Sequence, residues 1–585
     1  MKYMLASKDG DSFSYLTDSP SYLLSKNDLC TLNILPEIIR SGVRALKIEG
    51  RMKSPEYVAI VIKIYRKYID QYYNDPKNYH VREDDIYKLT QIFSRKLDYG
   101  YFNECFPKNI VSASKSGSIG NLMGRIFKIE YRDKKKSKKR YSEIESIQLK
   151  SKWPIRRGDT LEVWTKKGNL KINIDAIDLI DKDNGRYHYS INTPGGKDFS
   201  LKDRVFKAFD SKLDEEAKTT FKNAKNYSED LKDIVPNKQG NVLKSDKIED
   251  YLGEFFKADS RLYPKINDTG KSNKATARKI SITINVYNDD QLINALNTGL
   301  FNIVCCYPGP ALDGEIIGNP FDTVSYARET GKNIIIDTPH MVYDREFDDI
   351  SEKIKRLLKK DISSFRILNS GILEIFRRTG FDGKTPKIFL GSSFNTSNIF
   401  SMEFFTGLMD NKKIDFSGLE FSPELNTSEI GRIIKNFNSL HKDKKSFFFS
   451  IFGHGYYKVM TARYDILNYH KKFGKKGIDA YIEDRKGYKF PIDSDDSLNT
   501  IIYNSKRICT IFDLDSVVDS GINNIIIDGK FAETDELLKI AGSYNKAVTI
   551  LSEKGKEKYG EYVNQLENKK SFKDYSRGHL FRGVD

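Results

Sequence analysis

The most constraining feature of this 585-residue sequence is an internal repeat. The stretch YLLSKNDLCTLNILPEIIRSGVRALKIEGRMKSPEYVA (22–59) recurs near the other end as IIYNSKRICTIFDLDSVVDSGINNIIIDGK (501–530). Each copy reads as strand, helix, buried strand and turn, and predicts β/α units, with the strands of the first copy at residues 22–24 and 45–48. The paired positions keep a constant offset: Cys30 with Cys509, Gly42 with Gly521, and Glu49 with Asp528.

Eight apolar segments alternate with amphipathic helical stretches after Lys279. This alternation of strands and helices predicts a (β/α)8 barrel of the TIM type, or an open doubly wound sheet if the strands do not close into a barrel. The predicted strands are 280–286, 301–307, 333–338, 364–369, 387–393, 417–422, 446–452 and 523–528. The first repeat copy has only two β/α units, too few to close a barrel.

The fold class predicted is therefore α/β with a β-rich middle domain. We expect a partial β/α barrel module at 1–77 and an antiparallel β-rich domain at 78–215, with Lys134–Arg140 as a hairpin loop. A charged helical linker at 216–277, a second barrel-like module at 278–545 and a basic tail at 546–585 complete the chain.

Composition bears on partners and location. The net charge of +16 favours an anionic partner such as RNA, although a lysine-rich chain can equally reflect biased genome composition. No apolar run of about 18 residues or more is present, so we expect no contact with a membrane and a cytoplasmic location. The five cysteines form no C-x-x-C pair and are expected to be reduced thiols.

Polar residues follow most predicted strands of the second module, where parallel strands present ligand sites. Glu424, His454 and Asp528 are the catalytic candidates, since carboxylate and imidazole groups perform acid–base chemistry. Each has an alternative: Glu424 lies beside a helix cap at Asn426, and His454 can be a structural loop residue. Further polar residues at strand ends are Asp337, His340, Asn369, Ser392, Ser393 and Asn395.

In the first module, Glu49 and Arg51 flank Gly50 at the end of a predicted strand. They are interpreted either as a carboxylate–guanidinium pair facing a substrate or as an ion pair bracing the turn.

Several motifs carry a family resemblance. LLSKNDL, GVRALKIEGRMKSPEYVA, FSPELN, GHGYYKVMTARYD and YIEDRKGYKFPI resemble, in order, the motifs of long members of the collagenase-like peptidase family U32. Residues 78–215 are similar to the collagenase-associated domain of that family. The resemblance implies a peptidase acting on polypeptide, or a factor in the hydroxylation of RNA bases, the activity of some similar proteins.

The resemblance also has two departures. The family's iron–sulfur cluster uses four cysteines that have no counterparts here, so no cofactor is assigned. The front units of the first barrel are missing too, which predicts a partner chain that supplies them, or self-association. By resemblance the function expected is that of a peptidase, and the alternatives are an RNA-modification factor and a non-catalytic half of a split enzyme.

Overall fold

The computed structural model divides into two compact units: unit 1 is Met1–Lys244 with Arg463–Tyr488, and unit 2 is Ser245–Ala462 with Lys489–Asp585. The structure describes residues 2–9, 12–102, 110–111, 117–131, 144–193, 199–230, 280–299, 303–306, 329, 332–378, 385–409, 414–442, 446–469, 479–495, 499–567 and 572–581. Lys134–Arg140 and most of the predicted linker lie outside these ranges.

Unit 1 begins with two antiparallel strands and then the first repeat copy. The strands are β1 (Tyr3–Asp9), β2 (Ser12–Tyr15), β3 (Asp28–Leu29) and β4 (Leu97–Asp98), and the helices are α1 (Leu35–Arg40), α2 (Pro55–Asn74) and α3 (Glu83–Ile92). Ser54 caps α2 and Pro55 follows at its first position, which explains why the helix starts there. The short strands β3 and β4 pair in parallel.

The predicted strand at residues 45–48 is not formed. Leu46 and Ile48 are half-buried and alternate with exposed residues, as in a strand. No neighbouring strand pairs with them among the described residues, and a strand without a hydrogen-bonded neighbour is not stable in water. The segment at Tyr22 is likewise a turn, and the first strand of the repeat is the later β3.

The β-rich domain follows as predicted. A seven-stranded sheet has the order β8-β7-β11-β5-β6-β10-β9, and its neighbouring strands pair antiparallel. The strands are β5 (Asn121–Tyr131), β6 (Ile144–Ser151), β7 (Thr160–Thr165), β8 (Gly168–Asn173), β9 (Ile177–Asp183), β10 (Arg186–Asn192) and β11 (Arg204–Phe209). Helix α4 (Ser211–Asp230) continues from the last strand.

Unit 2 contains all eight predicted strands. They are β12 (Ser281–Val286), β13 (Ile303–Cys306), β14 (Asn333–Asp337), β15 (Ser364–Ile367), β16 (Lys387–Leu390), β17 (Asp415–Glu420), β18 (Phe448–Gly455) and β24 (Asn524–Asp528). These strands pair in parallel in the order β17-β16-β15-β14-β13-β12-β24-β18, and β17 also pairs with β18. The curled parallel sheet thus meets itself, as the barrel prediction requires.

Helices flank the parallel sheet. Leaving out α10 (Ile466–Tyr469), which belongs to unit 1, they are α5 (Asp289–Asn297), α6 (Phe347–Lys359), α7 (Ser370–Arg378), α8 (Ile399–Met409), α9 (Thr427–Leu440), α11 (Leu514–Asp519) and α12 (Thr534–Asn564). Their apolar faces pack on strands that are buried on both sides, which is why those strands read as continuous apolar runs.

The remaining strands are antiparallel or peripheral. They are β19 (Lys458–Ala462), β20 (Asp479–Asp484), β21 (Lys489–Ser494), β22 (Thr500–Tyr503), β23 (Arg507–Cys509) and β25 (Tyr575–Ser576). Within unit 2, β22 pairs with both β19 and β21, and within unit 1, β20 pairs with β1.

Candidate active site

The carboxyl ends of the parallel strands in unit 2 surround a cavity of about 390 Å³. Parallel α/β sheets bind ligands at this end, where side chains of separate strands converge. The polar side chains that line it from strand ends and their following loops are Asn285, Tyr287, Asp337, Arg366, Ser392, Glu420, Lys458 and Asp528.

A buried ion pair forms one wall. Both Nε and Nη2 of Arg366 lie 2.7 Å from the Asp337 carboxylate, one bond to each oxygen. The Nη2 group also donates to Asn285 Oδ1 at 3.2 Å. This two-bond geometry fixes the guanidinium plane, so Arg366 presents a pre-oriented positive charge to the cavity.

The Asp528 carboxylate lies at the centre of a second network. Its Oδ2 accepts hydrogen bonds from Asn285 Nδ2 at 3.0 Å and from the Tyr287 hydroxyl at 2.6 Å. Burial raises the pKa of Asp528, against the lowering effect of these donors. Asn285 therefore links Asp528 to the Arg366–Asp337 pair through direct hydrogen bonds.

Glu420 is the second carboxyl group with a raised pKa, and burial is again the main cause. Its Oε2 accepts the backbone amide of Ser392 at 3.3 Å. A raised pKa increases the fraction that is a neutral carboxylic acid, which donates a hydrogen bond or a proton.

Lys458 is the candidate base that would complement Glu420 as the acid. Burial lowers the pKa of its ammonium to about 8, although Asp337, Glu420 and Asp495 act in the opposite direction. Its ammonium has no ion-pair partner in the part of the chain that the structure describes. A lysine that titrates near neutral pH accepts a proton more readily than an ordinary lysine.

Aromatic rings complete the lining: Tyr287, Phe452, Tyr456, Tyr457 and Tyr503. Phe452 and Tyr457 pack edge to face with ring centroids 5.2 Å apart. The Lys530 ammonium lies 5.0 Å from the centroid of the Tyr287 ring. The cavity thus combines flat apolar faces with hydrogen-bonding groups.

Of the predicted catalytic residues, only Asp528 lies in this cavity. Asp337, His340 and Ser392, noted as polar residues at strand ends, line it too. Burial lowers the pKa of His340 to about 4, which leaves its imidazole neutral at physiological pH.

The His454 side chain does not line this cavity. It is 2% exposed and packs edge to face against Tyr544 and Phe572, with ring centroids 5.7 and 5.9 Å away. Neither ring nitrogen has a hydrogen-bond partner among the described residues, and burial lowers its pKa to about 3. A catalytic role for His454 stays a prediction, and its position does not place it with Asp528.

Glu424 is exposed and lines a neighbouring cavity of about 460 Å³. The alternative reading of its segment is confirmed, because Asn426 and Glu429 form a capping box at the start of α9. In unit 1, Glu49 accepts the backbone amide of Arg51 at 3.3 Å, and no ion pair joins their side chains among the described residues.

Sequence reasoning missed Arg366, Glu420 and Lys458. Arg366 carried a signal, since a lone arginine within the apolar segment SFRILN demands a buried partner. Glu420 lies within the predicted strand 417–422, and the strand pattern alone does not indicate a site residue there. Lys458 is one of many lysines, and nothing local marks it.

The described residues do not supply a metal or cluster site. No group of three potential ligands comes together among them, and the described cysteine side chains, Cys30 and Cys509, are each buried near a tyrosine hydroxyl. A cluster held by four cysteines does not fit these residues. Within the described ranges no helix has the length and apolar character needed to cross a bilayer.

Comparison with known proteins gives matches to short stretches of curated relatives. The chain is 39% identical over 85 residues to tRNA hydroxylation protein P1 of Bacillus subtilis, covering 14% of this chain and 20% of that protein. It is 34% identical over 88 residues to tRNA hydroxylation protein P2 of the same organism, covering 14% and 28%. A collagenase of Porphyromonas gingivalis is 35% identical over 97 residues, covering 16% and 23%.

The chain therefore spans less than a third of the length of each of these relatives. The match to a family model is broader: the model of peptidase family U32 matches residues 1–110 and 321–584, more than half of the chain. The matched residues include the first repeat copy and nearly all of unit 2 from the third parallel strand onward, and the chain belongs to peptidase family U32.

Proposed function

We propose that this U32 protein serves in the modification of RNA bases, with the target base held in the cavity of unit 2. The observation that supports the proposal is the combination of aromatic faces and buried hydrogen-bonding groups in that cavity. Enzymes that act on a base take it out of the stack, bind it between aromatic side chains and read its edge by hydrogen bonds.

Each group has a role in this proposal. Tyr287 and Tyr457 offer rings against which a base stacks. When protonated, which burial favours, Glu420 donates a hydrogen bond to a base nitrogen or oxygen, and Asp528 with Asn285 orients the edge of the ring. Lys458 accepts a proton from the reacting base.

Charge and relatives support an RNA substrate. A chain with a net charge of +16 attracts the negatively charged phosphate backbone of RNA at distances beyond those of direct contact. Two of the curated relatives are named for tRNA hydroxylation. We propose by this likeness that a C–H group of the base becomes C–OH with the oxygen atom of water, and that an external two-electron acceptor supplied to the complex receives the two electrons and the second proton, the first being taken by Lys458.

The test is nucleoside mass spectrometry of total RNA from a strain that lacks the gene. Complementation with the wild-type gene restores a nucleoside one oxygen heavier than its parent, whereas Glu420→Gln and Lys458→Met do not restore it. Glu557→Gln and Lys554→Met, at exposed positions of α12, are matched controls that restore it. An RNA profile that is unchanged by the deletion overturns the proposal.

A peptidase is the second candidate, favoured by the collagenase among the relatives. The same acid–base pair, Glu420 with Lys458, would protonate the leaving amine and activate water. Gelatin cleavage by the purified chain that is lost in Lys458→Met and kept in Lys554→Met would favour this candidate over RNA modification.

We also propose that residues 45–48 pair with strands of polypeptide outside unit 1. The equivalent segment of the second copy, β24, pairs with a parallel strand on each side. Hydrogen exchange locates the partner: slow exchange of the amides of residues 45–48 in cell-derived complexes, and fast exchange in the purified chain, is the expected result. Equal exchange in both samples contradicts it.

A further inference from the structure

Unit 1 contains a separate cavity of about 440 Å³, between α3, the start of α4 and the loop that follows β6. It lies outside the parallel sheet of unit 2 and has no part in the chemistry proposed above. Its lining combines an aromatic pair with positive charges. The residues that matter are Tyr87, Trp153, Arg156 and Lys212.

The aromatic pair forms one wall. The rings of Tyr87 and Trp153 lie with centroids 4.3 Å apart and a 34° angle between their planes. Both side chains are half-buried, so each ring packs on the protein and keeps part of its surface accessible. The Tyr87 hydroxyl is fixed by a hydrogen bond of 3.0 Å to Asp210. A ring held in this way is a stacking surface for a planar ligand.

The carboxylates around the cavity are already paired. Asp85 accepts the Lys67 ammonium at 2.6 Å, and Glu216 accepts the Lys88 ammonium at 2.8 Å. By contrast, neither Arg156 nor Lys212 has a carboxylate within ion-pair distance among the described residues. The local excess of positive charge therefore lies on these two side chains.

A buried network holds the cavity walls in place. The Lys207 ammonium is fully buried and lies 2.7 Å from Asp159, 2.9 Å from Asp210 and 2.7 Å from the carbonyl oxygen of Pro154. Asp159 accepts the backbone amide of Arg156 at 2.9 Å, and Asp210 accepts the amide of Leu213. The loop with Trp153 and Arg156 and the start of α4 are thus tied to the same lysine, which makes the site rigid before any ligand binds.

We propose that this cavity binds a nucleotide unit, with the base stacked on Trp153 and the phosphate held by Arg156 and Lys212. Stacking on an aromatic ring accepts any base, and paired cations recognise phosphate, which together describe sequence-independent binding. The nucleotide comes from either of two sources, a free mononucleotide or single-stranded RNA. The binding site lies in unit 1 and stands whether or not unit 2 modifies RNA.

Trp153 itself reports on the site, because the chain has only two tryptophans. Trp164→Phe in the full chain leaves Trp153 as the single tryptophan and keeps a ring beside Phe206, its partner at 4.4 Å. A stacked base quenches indole fluorescence. We expect titration with a mixed-sequence RNA dodecamer, or with cytidine monophosphate, to quench the emission in a saturable way.

Charge variants in the Trp164→Phe background test the phosphate contacts. Arg156→Gln and Lys212→Gln should each weaken binding of the dodecamer about fivefold to tenfold. Each should also lower the slope of log affinity against log salt concentration by about the value of one phosphate contact. Arg157→Gln, an exposed neighbour in the same loop, and Lys222→Gln, on the same helix, are matched controls expected within twofold of the parent.

The outcomes are distinct. Quenching by the mononucleotide identifies a free nucleotide as the occupant, and quenching by the dodecamer alone identifies RNA. No quenching by either ligand, or equal affinity of Arg156→Gln and Arg157→Gln, overturns the inference. Quenching reports on Trp153 in unit 1, whereas the nucleoside product reports on unit 2, so failure of the proposed base modification is recognised separately.

Discussion

The two repeat copies share their local hydrogen bonds but differ in their strand pairing. In the first copy the Tyr65 hydroxyl accepts the Thr31 amide at 3.0 Å, and in the second the Tyr544 hydroxyl accepts the Thr510 amide at 3.0 Å. Tyr79 donates to the Leu32 carbonyl as Tyr559 donates to the Ile511 carbonyl, both at 2.6 Å.

The turns that follow the helices agree between the two copies as closely as the tyrosine hydrogen bonds do. Helices α1 and α11 both have six residues, and each ends in a serine followed by a glycine with positive φ, +91° at Gly42 and +93° at Gly521. Both copies therefore form the same contacts between residues that are less than about 50 positions apart in the sequence.

The difference lies in the strand that follows. In the second copy β24 is buried along all five residues and pairs on both sides, and it carries Asp528 into the cavity. In the first copy the equivalent residues 45–49 are exposed or half-buried, and the Glu49 side chain is 72% exposed. A buried strand needs neighbours; β24 has one on each side, whereas no described strand pairs with residues 45–48.

The largest effect is expected from exchanging equivalent residues of the two strands. Ile526→Lys places a charge in the buried β24 and should destabilise unit 2 by more than about 4 kcal/mol, which prevents folding. Lys47→Ile, the reciprocal change, should alter stability by less than about 0.5 kcal/mol. Urea denaturation monitored by circular dichroism measures both, and equal effects would show that the two strands have the same surroundings.

The next comparison concerns the carboxylates that end the strands. Asp528→Ala removes the acceptor of Asn285 and Tyr287 and should cost about 3 kcal/mol, because two largely buried donors lose their partner. Glu49→Ala should be nearly neutral, since its carboxylate is mostly hydrated. The same denaturation experiment checks the pair, and a neutral Asp528→Ala would contradict the described network.

One pH effect is expected at the surroundings of the second copy, where Tyr544 contacts His454. The folded pKa of His454 is lowered from 6.5 to about 3, so below pH 6.5 the unfolded state takes up a proton that the folded state does not. Stability is therefore lost as the pH falls, by about 2 kcal/mol between pH 7.5 and 5.

His454→Leu should remove this part of the acid dependence and leave the nucleoside product unchanged. Denaturation at a series of pH values measures the first, and the complemented strain measures the second. An unchanged pH dependence would show that His454 is solvated in solution, and loss of product would restore it as a catalytic candidate.

The smallest effect is expected at the glycines. Gly42→Ala and Gly521→Ala both place a side chain at positive φ, at a cost of about 1 kcal/mol each. At Gly521 the added methyl group also lies 3.0 Å from Ile434, whereas Gly42 has open space. Thermal denaturation should therefore show a larger loss for Gly521→Ala. The reverse order would mean that the first copy is packed against something in solution.

The sequence alone predicted the strands of unit 2, the β-rich domain and the capping box at Asn426. These features depend on apolar runs, alternation and neighbouring residues. It grouped Asp528 and His454 as catalytic candidates because both lie at ends of predicted strands; Asp528 lines the cavity and His454 does not, and the catalytic role of each stays a prediction. A one-residue irregularity in the pairing of β18 with β24, between Phe452 and His454, lies beside that side chain, and no sequence pattern showed it.

Lys458 and Glu420 could not be assigned from the sequence for another reason. Their proposed roles depend on burial, which raises the pKa of the carboxyl group and lowers that of the ammonium group, and burial depends on strands from distant parts of the chain. The strand predicted at residues 45–48 was wrong for the opposite reason, because its apolar pattern is present but no strand in the described ranges pairs with it.

The most direct measurement is photo-crosslinking of 4-thiouridine-labelled RNA to the full chain, with mass spectrometry of the linked peptides. Base modification in unit 2 predicts crosslinks at the aromatic lining, at Tyr287, Tyr457 or Tyr503, that are lost when unlabelled RNA competes. Crosslinks that avoid this cavity altogether, or no crosslinking while gelatin is cleaved, would contradict the proposal that the cavity binds an RNA base.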